Sequence, residues 1–265
     1  MSEIYRQNPK VEAIILAGSV ARKLEDEHSD IELHILWSMP PEDDDRKGPI
    51  HRIDGTILSY YPYEEAEWFE SYLTKDGIKL EISNFLSVTV ETFISDVVGQ
   101  CDISYEKQCI VSSVHDGVSL YGGEIVNELK DRVVAYPLDL SKRMISENLL
   151  LSNCWHNREV FLKRKDWLML YDVICEVERN IFCVLFGFNG MYVHHLAFKW
   201  MPFNVDRMSF KPANLYERMA NALIGKPEYC VQELEVLIQE VLQLVEHHAP
   251  ELHIAEQQKR MQYAK

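Results

Sequence analysis

The sequence predicts an α+β protein with a small mixed-sheet domain over residues 1–136 and an all-helical domain over 137–265. Two observations predict it. Up to about residue 130, short apolar runs alternate with turns, and beyond Leu138 the strand signal gives way to long segments of helical period. Between them stands Tyr136-Pro137, where the proline biases its predecessor to extended backbone and discourages helix continuation.

In chain order, strands are expected at Val11 to Ala17, Ile31 to Trp37, Thr56 to Tyr61, Lys79 to Ser83 and Ile110 to Ser113. Helices are expected at Glu64 to Leu73 and Val90 to Val98, and Met-Pro-Pro-Glu-Asp-Asp-Asp-Arg-Lys between Ser38 and Gly48 reads as a solvated polar loop. The second half predicts helices over Ser141 to Phe161, Asp166 to Phe186, Ala213 to Leu223 and Glu228 to His247, with Gly225 and Pro250 as stops. Val231, Leu234, Leu237, Val241, Leu244 and Val245 share a face of the last helix, which either packs on its own domain or supports a homodimer.

At 265 residues with 47% apolar content, the chain is long enough to fill a substantial core. No stretch approaches a membrane span, and the first residues lack the apolar centre of a signal peptide, so the expectation is a cytoplasmic protein without a membrane partner. The six cysteines include no Cys-x-x-Cys pair and read as reduced core residues. A formal charge of −15 without a basic stripe argues against a nucleic-acid partner. The same charge would attract a cationic small molecule, although solubility alone also accounts for it.

The chemistry-bearing stretch runs from Gly18-Ser19, at the end of the first apolar run, to Ser29-Asp30-Ile31-Glu32-Leu33 at the start of the next. Side chains alternate along a strand, so Asp30 and Glu32 face one way while Ile31 and Leu33 enter a core. Two carboxylates that close call for a cation, and Mg²⁺ takes oxygen ligands while keeping substrate phosphates in its shell. Glycine after a strand permits a tight turn, and the residues that follow can open a helix whose free N–H groups face an anion. Glu81, bracketed by Leu80 and Ile82, is the preferred third acid; its rival is Asp54, which precedes Gly55 in what reads as a hairpin turn.

Gly18, Ser19, Asp30 and Glu32, with Arg22 beside them, resemble the nucleotidyltransferase superfamily that includes polymerase β and the antibiotic nucleotidyltransferases. Its pattern is an apolar strand, Gly-Ser, about ten residues, then Asp-x-Asp/Glu. The Ser-Asp-Ile-Glu form and the segment Lys79-Leu80-Glu81-Ile82-Ser83-Asn84-Phe85 look like the kanamycin and other aminoglycoside nucleotidyltransferases. The segment from Arg179 to Gly190, followed by Lys199-Trp200, looks like the helical C-terminal domain of bacterial nucleotidyltransferase-like proteins.

The resemblance implies transfer of a nucleoside monophosphate, with ATP or another nucleoside triphosphate as donor and a small hydroxyl compound as acceptor. It implies Asp30, Glu32 and Glu81 as catalytic and Mg²⁺-binding acids, and Gly18, Ser19, Arg22, Ser29 and Lys199 as nucleotide-binding residues. A salt bridge to Glu25 or Asp26 is the competing use of Arg22. The general base stays open between Glu81 and a helical-domain carboxylate, since the position matching the aminoglycoside enzymes' base is Leu150. Two alternatives to a small acceptor also stay open: AMP transfer to a protein, and a catalytically silent nucleotide-binding protein.

Overall fold

A computed structural model describes residues 1–255 and divides them between two compact units, starting at Met1–Ala135 and continuing from Tyr136. Each unit is described by itself. The architecture is α+β: a six-stranded mixed sheet with helices, then helices without strands among the described residues.

The first unit opens with α1 (Ser2–Tyr5), β1 (Val11–Ala17), α2 (Gly18–Arg22) and β2 (Ile31–Trp37). Both strands have the bounds that their apolar runs predict. Then come α3 (Asp43–His51), β3 (Thr56–Tyr60), β4 (Trp68–Leu73) and β5 (Lys79–Leu86). The unit closes with α4 (Ser87–Ile94), α5 (Tyr105–Asp116), β6 (Val118–Tyr121) and α6 (Gly123–Val133). Strand order is β3-β4-β5-β2-β1-β6, with β2 and β5 parallel and every other neighbouring pair antiparallel. Tyr5, Ile14, Leu33, Ile35, Trp37, Tyr72 and Ile82 form the buried core on one face of the sheet.

Several elements depart from expectation, each for a local reason. The segment expected as a polar loop folds into α3: three aspartates occupy its first turn, where the helix dipole favours negative charge, and the Asp45 carboxylate accepts the Glu42 N–H at 2.8 Å. Arg46 on α3 is buried, and its Nε and Nη2 donate to Glu70 Oε2 at 2.8 and 2.6 Å. Glu70 lies on β4, where a helix was expected. The aromatic residues Trp68, Phe69 and Tyr72 favour a pleated half-buried surface, and Glu70 finds its partners inside.

Asn84 on β5 donates to Glu70 Oε1 at 2.9 Å and accepts from Trp37 Nε1 at 2.9 Å, completing a buried polar chain from α3 to β2. Asp54 does not sit in a hairpin: it has φ 53° in the turn that leaves α3, where Gly55 N–H bonds the Ile50 carbonyl. The expected strand at Ile110 to Ser113 lies inside α5, a helix whose N-cap Ser104 accepts the Lys107 N–H. A π turn at Ser95–Gly99 follows α4, and β6, only four residues long, escaped the periodicity reading.

The second unit contains α7 (Leu138–Asn148), α8 (Arg158–Arg164), α9 (Trp167–Phe188), α10 (Met201–Arg207), α11 (Leu215–Ile224) and α12 (Pro227–His248). The helix expected over 141–161 breaks after Asn148, with Leu151 at φ 48° and a 3₁₀ turn at Trp155–Asn157. The central helix α9 packs against α7, α8, α11 and α12. The apolar face of α12 is used inside the unit: Val231, Leu234, Leu237, Val241 and Val245 are buried. No helix among the described residues is long and apolar enough to cross a membrane.

Candidate functional site

Parallel pairing of β2 with β5 sets Ile31 opposite Leu80 and Glu32 opposite Glu81. Because facing residues share a side of the sheet and alternate residues return to it, Glu32 and Glu81 form one row and Asp30 and Lys79 the row before it. Lys79 Nζ donates to Asp30 Oδ2 at 2.7 Å and to Glu81 Oε1 at 2.6 Å. Both hydrogen bonds hold the Lys79 pKa above the ordinary lysine value. Lys79 thus offers one positive charge to two carboxylates, and Glu32 adds a third acid to the same face.

Glu32 lies under the turn that joins β1 to α2. Gly18 has φ +66°, and a Cβ added to it would stand 2.4 Å from the Glu32 carboxylate carbon. The left-handed backbone favours glycine there, while the Glu32 carboxylate is the end of a flexible side chain that can move aside. Ser19 follows, buried, on the first turn of α2.

The remaining residues expected at the nucleotide are placed individually. Arg22 Nε donates to Asp116 Oδ2 at 2.8 Å and its Nη2 to Ser112 Oγ at 3.2 Å, so its guanidinium ties α2 to α5 and not to Glu25 or Asp26. Burial opposes the charged form of Asp116, but hydrogen bonds from His115 and Arg22 hold its pKa below the usual carboxylate range. Ser29 closes the loop before β2, its hydroxyl accepting the Asp26 N–H at 2.9 Å and donating to Asp26 Oδ1 at 3.0 Å. Lys199 belongs to the second unit, where its side chain is exposed and its carbonyl accepts from Asn204 Nδ2 at 3.2 Å. Asp54, the rival third acid, is exposed in the turn after α3.

Carboxylate oxygens are the right donors for Mg²⁺, and two of the three acids already converge on one cationic group. That group is the Lys79 ammonium, which itself occupies the place between Asp30 and Glu81. Among the described residues no three of Asp, Glu, His and Cys are gathered closely enough to hold a metal ion.

Sequence reasoning did not assign a role to Lys79, although period-2 alternation puts it on the face of Glu81. It also missed His34, two residues beyond Glu32 on the same strand. His34 is buried against the Phe85 ring, and burial, with the nearby Arg22 charge, pushes its pKa down to about 4. Ser112 gave no signal because the segment Ile110 to Ser113 reads as a strand, and Asp116 lies just beyond it on the same helix.

The model of a domain of unknown function, DUF4037, matches residues 103–201. Comparison with curated proteins finds no match. Among solved structures, an aminoglycoside 6-adenyltransferase from Bacillus subtilis aligns over 98% of this chain and 94% of that one, at 8% identity and a TM-score of 0.33. So shallow an overlap carries no inference about activity.

Proposed function

We propose that the first unit is a nucleotidyltransferase that moves a nucleoside monophosphate from ATP or another nucleoside triphosphate to a hydroxyl acceptor. The observation that carries this reading is the adjacency of Glu32 and Glu81 on parallel strands, with Asp30 one row away and the Gly18 turn closing over Glu32. Nothing in the packing of a sheet requires three carboxylates on one small patch, and their mutual repulsion costs stability unless cations balance it.

In this reading Gly18 lets the backbone approach the β and γ phosphates, and Ser19 with the neighbouring N–H groups holds them. Arg22 acts from behind, fixing α2 through Asp116 and Ser112, and Ser29 shapes the approach to Asp30. Asp30, Glu32 and Glu81, not gathered closely enough in this arrangement to hold a metal ion by themselves, would lend carboxylate oxygens to Mg²⁺ arriving with the triphosphate, which would supply charge neutralisation at the phosphates and orientation of the pyrophosphate leaving group. The acceptor proton goes to Glu81, and the acceptor class is a small hydroxyl compound such as an aminoglycoside, with a protein hydroxyl as the alternative.

The test is incubation of the protein with α-labelled ATP, GTP, CTP and UTP, Mg²⁺, a panel of aminoglycosides and lincosamides, and cell extract. Label on an acceptor together with released pyrophosphate is the expected result, and Asp30→Asn with Glu32→Gln should abolish it while leaving the fold intact. Transfer by that correctly folded double variant would sink the proposal. One observation favours a second reading, a silent nucleotide-binding protein: Lys79 already hydrogen-bonds both Asp30 and Glu81. Retained nucleotide binding with no transfer to any acceptor would select it.

A further inference from the structure

On the face of the sheet away from the acids, β2 presents Ile31, Leu33, Ile35 and Trp37, and β5 presents Leu80, Ile82, Asn84 and Leu86. Apolar residues recur at every second position, so moving β5 along β2 by two residues still sets aliphatic side chains against one another and keeps the buried face buried. The same slip carries Glu81 from beside Glu32 to beside Asp30 or His34, about 6.6 Å along the strand. Hydrophobic patterning therefore leaves open the register on which the acid patch depends.

The connections leave it open as well. A tight turn joins β4 to β5, with Thr74 N–H on the Ile78 carbonyl at 2.9 Å, whereas β2 reaches β5 only through α3, β3 and β4. Asn84 distinguishes one register from the others. It is fully buried; its Oδ1 accepts Trp37 Nε1–H at 2.9 Å, and its Nδ2 donates to Glu70 Oε1 at 2.9 Å and to the Trp68 carbonyl at 3.3 Å. One amide thus ties β5 to β2 on one side and to β4 on the other, and Glu70 continues the chain to Arg46 on α3. A two-residue shift of β5 moves the amide off the Trp37 indole and leaves buried polar groups unpaired. Fixing register is the best-attested use of polar groups set in an apolar layer.

Resting on the nucleotidyltransferase reading for what the acids do, we propose that Asn84 is a positioning residue of the site: from the opposite face of the sheet it holds β5 in the parallel register that sets Glu81 beside Glu32. It acts only through Glu81, and its own side chain lies among Trp37, Trp68 and Glu70.

The experiment is nuclear magnetic resonance of the full chain, comparing unmutated protein with Asn84→Leu, which keeps the side-chain size and removes the amide. Backbone nuclear Overhauser contacts across β2 and β5 report the register. Ile82 should face Leu33 alone in the unmutated protein, and Asn84→Leu should add a second set of resonances in which Ile82 faces Ile31 or Ile35. In label-transfer assays kcat should fall by the fraction of molecules that lost the Leu33 contact, while KM for the nucleotide, held at the Gly18 turn, stays at its unmutated value. The same substitution in an Arg46→Met, Glu70→Met background, where no buried ion pair is left to strand, should slip likewise while keeping a cooperative melt.

The observed register alone in both backgrounds, or a loss of transfer with no change of register, would each overturn the proposal. Failure of both variants to fold would mark Asn84 as a stability residue and count against it too. Slipped contacts in the variants without any transfer by the unmutated protein would remove the transferase and leave the register role. Transfer by the unmutated protein with a register indifferent to Asn84 does the reverse.

Discussion

Gly18→Ala tests the geometry of the turn that covers Glu32. The residue has φ +66°, and an added Cβ would stand 2.4 Å from the Glu32 carboxylate carbon and one of its oxygens. Two costs follow. Placing an L-residue in the left-handed region costs about 1–2 kcal/mol, and the Glu32 carboxylate, at the end of a flexible side chain, must swing off its rotamer to make room, which adds about 0.5–1.5 kcal/mol.

Gly77→Ala separates these costs, because Gly77 has φ +81° and nothing within 4 Å of an added Cβ. It should show the conformational cost alone. Urea unfolding of the two variants should therefore place Gly18→Ala lower in stability than Gly77→Ala by about 0.5–1.5 kcal/mol. The gap should shrink when Glu32→Ala is combined with Gly18→Ala, since the truncated side chain leaves room. Equal losses in the two glycine variants, or a gap indifferent to Glu32→Ala, would refute the close approach of Glu32 to the turn.

Other perturbations probe the scaffold. Arg46→Met strands the buried Glu70 carboxylate and should cost about 3–5 kcal/mol in chemical unfolding, with much of the loss recovered when Glu70→Met is added. Glu178 on α9 is buried, and desolvation pushes its pKa up to about 8. Its folded pKa thus exceeds the unfolded value, so its contribution to stability is fully present below about pH 4.5 and is lost as pH rises through about 8. Glu178→Gln should flatten that part of the stability profile, and an unchanged slope in urea midpoints across this range would contradict the assignment. Arg22→Met leaves Asp116 and Ser112 without their α2 partner and should lower stability by about 1–3 kcal/mol in thermal or urea unfolding.

How far the sequence anticipates the structure depends on whether a residue's environment is local. The β1 and β2 runs are apolar apart from Glu12, Glu32 and His34 and are flanked by polar turns, and their bounds match the strands at both ends. The α9 and α12 patterns sustain helical period over many turns, and their ends shift by only a residue or two. Failures occur where a distant partner decides. Glu70 makes its segment read as a charged helix face, but Arg46, 24 residues away, receives it inside the sheet layer. The acid run before Gly48-Pro49 reads as a solvated loop until Asp45 caps it and Arg46 anchors it.

In the site, alternation alone puts Asp30 with Glu32 and Lys79 with Glu81, but only the parallel register brings the two pairs face to face. Arg22 could be read as phosphate-facing because Asp116 lies 94 residues further along, beyond the reach of any spacing rule.

The parallel pairing of β2 with β5 also has a kinetic consequence. Lys79 and Asp30 are separated by 49 residues, and α3, β3 and β4 all lie in that interval. Long-range parallel pairing pays its loop-closure entropy before any contact repays it, so this junction belongs to the slow part of folding. A nascent chain that ends before β5 begins carries Asp30 and Glu32 but neither Lys79 nor Glu81, and so has neither the third acid nor the cation bonded to it. The acid patch is thus a late product of assembly, and amide protons in the β2–β5 ladder should exchange only through openings large enough to separate these two central strands.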